Sequence, residues 1–264
     1  MRPHPITLGL VSLAALTTLV HCTSKNASTE RTCVAQLALG SGPLRGSSMP
    51  AKMLALTFDD GPGPRTRALS TFLKDEGIQA AFFVNGRSMG ADAAEVLQQL
   101  VDDGHLVANH TETHQSLTGF ATATPRPADA VIIEELTATD TKIEPFVAHK
   151  RLLFRPPFGD YDEQTHAVLA STPMNKYVGP VLWDIGDRMD EEGGYAADWD
   201  CWQHGMDGKR LSVEACGDLY LTEIRREGKG IVLMHDPYFN ELDPDQGGTV
   251  EMVMYMVPKL KDDG

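Results

Sequence analysis

The chain has 264 residues, 42% of them hydrophobic and 23% charged, with a formal net charge of −14. This size and balance fit a globular chain with one large domain better than two small ones. So acidic a surface repels phosphate backbones and anionic lipids, which excludes nucleic acid as a partner.

Arg2 and His4 precede an apolar run from Ile6 to Val20. The run is too short and too weakly flanked for a permanent membrane helix, and residues 1–21 read as a signal peptide. A secreted or periplasmic location follows. Cys22 comes directly after, where a lipoprotein would be cleaved and a lipid anchor attached, although His21 stands where such sites favour a small residue. A tethered lipoprotein and a freely secreted protein both stay open. Residues 22–50, rich in Ser, Thr, Gly and Asn, read as a flexible tether, with the folded domain over 51–264.

Strands are expected at Lys52–Phe58, Ile78–Val84, Leu106–Ala108, Leu152–Phe154, Tyr177–Ile185 and Gly230–Met234. Helical periodicity falls between them, over Arg65–Glu76, Asp92–Asp103, Ala128–Phe146, Asp162–Ser171, Ser212–Glu227 and Thr249–Lys261. Gly77 and Gly104 stand where helices end. Such alternation predicts a mostly parallel α/β sheet, open or closed into a barrel. Among the four cysteines no CxxC spacing exists, so a structural zinc site is not expected. Cys201 and Cys216 flank a Gly-containing bend, and export favours a disulfide between them, the alternative being two buried thiols.

Three segments at strand ends carry chemistry, because the carboxyl ends of parallel strands are where α/β sites are built. In Thr57-Phe58-Asp59-Asp60-Gly61-Pro62, two adjacent carboxylates repel, and a metal ion on one would leave the other as a base. The plain alternative is an Asp-Gly turn. In Asn109-His110-Thr111-Glu112-Thr113-His114, histidines four apart would share one face of a helical turn and reach one ion. Alone, that spacing is equally met by two ordinary histidines. His235 ends the apolar run Gly230–Met234, placed to protonate a leaving group or merely hydrogen-bonded at a strand end.

Together, TFDDGP, HTETHQSL, RPPFG (Arg155–Gly159) and IVLMHD, with AAFFVNG (Ala80–Gly86), resemble the NodB-homology polysaccharide deacetylases, carbohydrate esterase family 4, from Lys52 onward. The resemblance implies a distorted (β/α) barrel and removal of acetyl groups from N-acetylated polysaccharide, with peptidoglycan favoured over chitin or poly-N-acetylglucosamine. Other readings are an O-acetyl esterase on xylan and an inactive glycan-binding relative. It implies one divalent ion on Asp60, His110 and His114, zinc first, with cobalt, nickel, iron or manganese as alternatives. Asp59 would be the general base, Arg155 its holder and His235 the general acid. The Phe158 N–H would stabilise the oxyanion while its ring walls the groove, and Leu233 would line the acetyl pocket.

Two departures stand out. The family's aspartate supporting the catalytic histidine, usually followed closely by Asp-Trp, has two candidates in Trp183-Asp184-Ile185-Gly186-Asp187, of which Asp187 is preferred. The only Asp-Trp pair, Asp198-Trp199, is displaced by an acidic insertion in which Trp199 would cover the sugar groove. The chain also ends at Gly264 where relatives commonly add one more strand, so that strand is missing or the barrel closes differently. A monomer is expected.

Overall fold

The computed structural model describes residues 42–147, 152–190, 192–203, 210–236 and 247–264. The signal segment, Cys22 and Cys33 lie outside the described residues.

Four parallel strands, β1 (Leu54–Asp59), β2 (Ala81–Val84), β3 (Leu106–Asn109) and β4 (Gly230–His235), lie in the order β3-β2-β1-β4. Their register sets Asp59 beside both Phe83 and His235, so the carboxyl ends are level. Isolated parallel bridges carry the sheet onward, from Asn109 to Phe154, from Leu153 to Val178 and from Ile185 back to Val232 on β4. The result is a ring of parallel segments, two of them reduced to single bridges. The expected strands at 152–154 and 177–185 are therefore real in direction and position, although they pair only through isolated bridges. Backbone hydrogen bonds such as Phe154 N–H to the Val178 carbonyl and Leu233 N–H to the Ile185 carbonyl tie them to their neighbours.

Alternation along the strands divides the core. Ala55, Ala81, Ala108, Phe83, Leu153 and Ile231 form the inner cluster, where three alanines suit a narrow interior. Leu56, Phe58, Phe82, Val84, Val107, Val232 and Met234 face outward into the larger cluster beneath the helices. Phe58 and Phe82 stack at 5.2 Å between ring centroids. Both are fully buried, and truncating either to alanine is expected to cost about 3–5 kcal/mol.

The helices are α1 (Thr66–Asp75), α2 (Ala93–Asp102), α3 (Asp129–Ile143), α4 (Glu163–Ala170), α5 (Asp198–Gln203), α6 (Val213–Glu227) and α7 (Thr249–Asp263). Local chemistry sets several ends. Asp162 accepts from the Thr165 N–H and Ser212 from the Ala215 N–H, capping α4 and α6. Gly228 takes the left-handed conformation that closes α6. Cys201 and Cys216 are joined in a disulfide that ties α5 to α6.

The expected tether is corrected at its end. Leu44 bridges Val181, Met49 is buried in the inner cluster, and the Gly46 N–H donates to Asp184 Oδ2 at 2.7 Å. Asp184 also accepts from the Ile231 N–H, so it clasps residues 44–49 onto β4, and the packed body begins before residue 51.

Candidate active site

The inward-facing positions at the carboxyl end of the ring are Thr57, Asp59, Arg155 and His235, just past the alanine layer. Arg155 is fully buried. Its Nη1 donates to Asp59 Oδ1 at 2.6 Å and to Thr57 Oγ1 at 2.9 Å, and its Nε donates to the Val181 carbonyl. The guanidinium lies 4.2 Å over the Phe83 ring. Thr57, unremarked in the sequence, donates in turn to the Val232 carbonyl and completes the brace. Burial raises the Asp59 carboxyl above the ordinary carboxylate range, with Arg155 and then His235 pulling the other way.

Strict alternation would turn Asp60 away from Asp59. Instead Asp60 adopts φ 72°, left-handed for a non-glycine residue, and this swings its side chain back over the barrel mouth. Its N–H donates to the Phe83 carbonyl, and the Gly61 carbonyl accepts from the Asn85 N–H, which hold the turn. Gly61 is required there, since a Cβ would come within 2.6 Å of Asp236 Oδ2.

The HTETH segment is not a helical turn, as the spacing implied. It is a loop after β3 in which Thr111 (φ 68°) and His114 (φ 61°) are both left-handed. Asn109 accepts from the Thr111 N–H, Asn85 donates to the His110 carbonyl, and Glu135 of α3 accepts from both the N–H and hydroxyl of Thr113. Glu112 is paired with Lys142 and hydrogen-bonded by Thr139. The non-histidine positions of the motif thus pin the loop. With Phe158 at φ 60°, four of the six left-handed non-glycine residues among the described residues belong to this site. Strain gathered there costs on the order of 1–3 kcal/mol per residue and must be held by such contacts.

This geometry brings one carboxylate and two imidazoles together. The ligand atoms of Asp60, His110 and His114 all lie within 4.8 Å of one another. His110 Nε2 is 3.7 Å and His114 Nε2 3.5 Å from Asp60 Oδ1. That oxygen is buried with no hydrogen-bond donor, which is costly for a carboxylate unless a cation sits there. His110 Nδ1 meets the Arg155 carbonyl at 2.8 Å, orienting Nε2 toward Asp60. Burial, reinforced by His114, pulls His110 down to about 3 despite Asp60, so it is neutral and able to ligate. Burial also lowers His114. The residues fit a divalent ion.

His235 lies across the mouth, and its carboxylate partner is Asp198, which corrects the expectation for Asp187. Asp198 Oδ1 meets His235 Nδ1 at 2.8 Å, and Oδ2 accepts from the His235 N–H at 2.6 Å. Asp187 instead accepts from Trp183 Nε1 at 2.9 Å. Burial opposes charging of His235, but Asp198, aided by Asp60 and Asp59, overcomes it and raises the imidazole to about 9.

These groups line a cleft of about 450 Å3 with Phe158, Leu233, Trp183, Trp199, Asp187 and Arg87. Phe158 is half exposed and packs edge-on to His114 at 4.6 Å between centroids. Trp199 reaches the cleft from α5. Arg87 and Trp183 also line the cleft and were not assigned a role from the sequence, although Arg87 adjoins Ala80–Gly86 and Trp183 opens the Trp183–Asp187 stretch singled out there.

Residues 46–177 match the family model described as polysaccharide deacetylase. A chitooligosaccharide deacetylase of Rhizobium leguminosarum bv. trifolii is 31% identical over 199 residues, 75% of each chain. Chitin deacetylase 1 of Cryptococcus neoformans var. grubii is 33% identical over 128 residues, 48% of this chain, and the match spans only 25% of that longer protein. The solved peptidoglycan deacetylase PdaC of Bacillus subtilis is 25% identical with a TM-score of 0.57, covering 81% of this chain and 85% of that one. With the distorted parallel barrel and the acidic and histidine motifs at its mouth, these matches show that the chain belongs to the polysaccharide deacetylase family.

Proposed function

We propose that this protein hydrolyses the acetamide groups of an N-acetylglucosamine-containing polysaccharide, releasing acetate, with a divalent ion held by Asp60, His110 and His114. The observation that carries the proposal is the meeting of those three ligands between Asp59 and His235. All three relatives above are named as deacetylases of chitin, chitooligosaccharide or peptidoglycan, polymers that share N-acetylglucosamine units. Peptidoglycan is the preferred polymer because the leader reads as bacterial export.

The ion, zinc first for this donor set with cobalt, nickel, iron or manganese as alternatives, supplies Lewis acidity toward water and the acetamide carbonyl. Asp59 Oδ2, the oxygen not bonded to Arg155, takes a proton from the attacking water. Arg155 keeps that carboxylate anionic and fixed. The Phe158 N–H donates to the oxygen on which charge develops. When the C–N bond breaks, the sugar nitrogen takes the proton from His235 Nε2, whose ring is oriented by Asp198 at Nδ1. Leu233 bounds the space for the acetyl methyl, and the aromatic rings of Phe158, Trp183 and Trp199 offer apolar faces to a sugar. Secretion, with or without a lipid anchor at Cys22, would bring this cleft to an extracytoplasmic polymer.

The test is release of acetate and free amine from peptidoglycan, chitin oligomers, poly-N-acetylglucosamine and acetylxylan, with and without chelator. Metal-dependent release from an N-acetylated polymer is expected. No acetate from any polymer with any of these ions refutes the proposal, and release from acetylxylan alone makes it an O-acetyl esterase.

A further inference from the structure

Asp198 holds the acid, and among the described residues of its own short helix only the neighbouring Trp199 N–H donates to its carboxylate. It stands at the first turn of α5, a six-residue helix inside an insertion. Its position relative to β4 is set from α6, some twenty residues away in sequence. The Tyr220 hydroxyl, fully buried, donates to the Leu233 carbonyl at 2.9 Å and accepts from the Asp198 N–H at 3.0 Å. One atom therefore spans the acetyl-pocket segment of β4 and the residue that orients His235. Burial raises the phenol well above its ordinary range, so it stays neutral and keeps both bonds. Glu223, one turn along α6, accepts from the Ala196 N–H at 2.9 Å, holding the approach to α5. Three residues after Asp198, Cys201 is bonded to Cys216, one turn before Tyr220. The Asp198 carboxylate is then fully engaged, by the His235 N–H and ring, the Trp199 N–H and a longer contact from Thr249.

We propose that Tyr220 and the Cys201–Cys216 disulfide are positioning elements of the general acid, together fixing Asp198 against β4 so that His235 Nε2 faces the cleft. The proposal rests on the deacetylase reading for its kinetics but not for its geometry. An acid seated from an inserted helix needs outside anchors, because a displacement of about 1 Å at a catalytic group costs on the order of a hundredfold in rate. A phenylalanine at 220 would leave the Asp198 N–H and the Leu233 carbonyl without their shared partner in a dry core.

The experiment compares zinc-loaded wild-type protein with Tyr220→Phe and with the double variant Cys201→Ser, Cys216→Ser. Readouts are kcat, KM, bound zinc, and titration of His235 by NMR, which needs no substrate. The charged groups facing His235 are Asp198 from α5 and Asp59, Asp60 and His114 from the barrel mouth, and neither variant alters them. Expected for Tyr220→Phe is a fall in kcat of about tenfold to a hundredfold with KM and zinc little changed, and a lower His235 titration midpoint. The disulfide variant should shift the same readouts in the same direction. A folded Tyr220→Phe with unchanged kcat and His235 midpoint overturns the proposal, as does a loss that follows loss of zinc. If Tyr220→Phe fails to fold, an unchanged disulfide variant overturns it. Absence of acetate release from wild type refutes the deacetylase reading instead, and the NMR titration still decides this one.

Discussion

Replacing Asp198 with Asn is the most informative single change, because it removes one charge and keeps the shape. The wild-type carboxylate accepts on both oxygens from His235, once from the backbone and once from the ring. An amide accepts on one side only, so either the His235 N–H or its Nδ1–H must face an NH2 group. The rise of the imidazole from 6.5 to about 9 corresponds to about 3 kcal/mol of preference for the protonated ring. With Asp198 neutral, burial loses its main opponent, Asp60 and Asp59 remain, and the ring gives up its proton at lower pH. The alkaline limb of kcat should move down by about 1–2 pH units, so kcat at pH 8 should fall by roughly twofold to tenfold as the protonated fraction of the acid is lost. Stability responds with a definite sign. The folded state holds this proton more tightly than the unfolded chain, so the pair's contribution is complete below 6.5 and is lost as pH rises through about 9. Urea unfolding of wild type between pH 6 and 9.5 should show that loss, and Asp198→Asn should flatten it. An Asp198→Asn enzyme with the wild-type kcat profile, alongside an Asp187→Asn enzyme whose profile shifts, would refute the assignment of Asp198.

Asp60→Ala should abolish bound metal as measured by elemental analysis, because it removes the only carboxylate of the ligand set. Asp59→Asn should retain metal yet lose roughly 10²–10⁴ in kcat, separating the base from the ligand beside it. Glu135→Gln weakens the clasp on Thr113, and a drop of about tenfold to a hundredfold in metal affinity is expected by competition with a chelator. Chelation of the wild type should lower its melting temperature, by about 2.7 kcal/mol of stability where free metal had stood at a hundred times its Kd.

Much of the site was legible because it is written locally. Asp59, Asp60, His110, Arg155 and His235 each stand at or just past the end of a strand-like run, and parallel pairing brings such ends level without further information. Helix ends at Gly77 and Gly104 were readable for the same reason, since a helix stop depends on one or two neighbouring residues, and both glycines take positive φ. The conformation of the HTETH segment was not. Two left-handed residues are stabilised there by Asn85, Asn109 and Glu135, which lie on three different elements.

Sequence alone therefore carried the family resemblance, the succession of strands and helices along the chain, and, as candidates left open, the Asp60, His110 and His114 set that the resemblance implies and the Cys201–Cys216 pair. Tertiary structure decided which aspartate serves His235, that residues 44–49 join the packed body through Asp184, and that the ring closes through single bridges. Asp184 and Asp187 sit in the expected stretch, but β4 and α6 present His235 to Asp198. A contact across 37 residues leaves no periodicity to read, and only the packing of α5 against α6 chooses it.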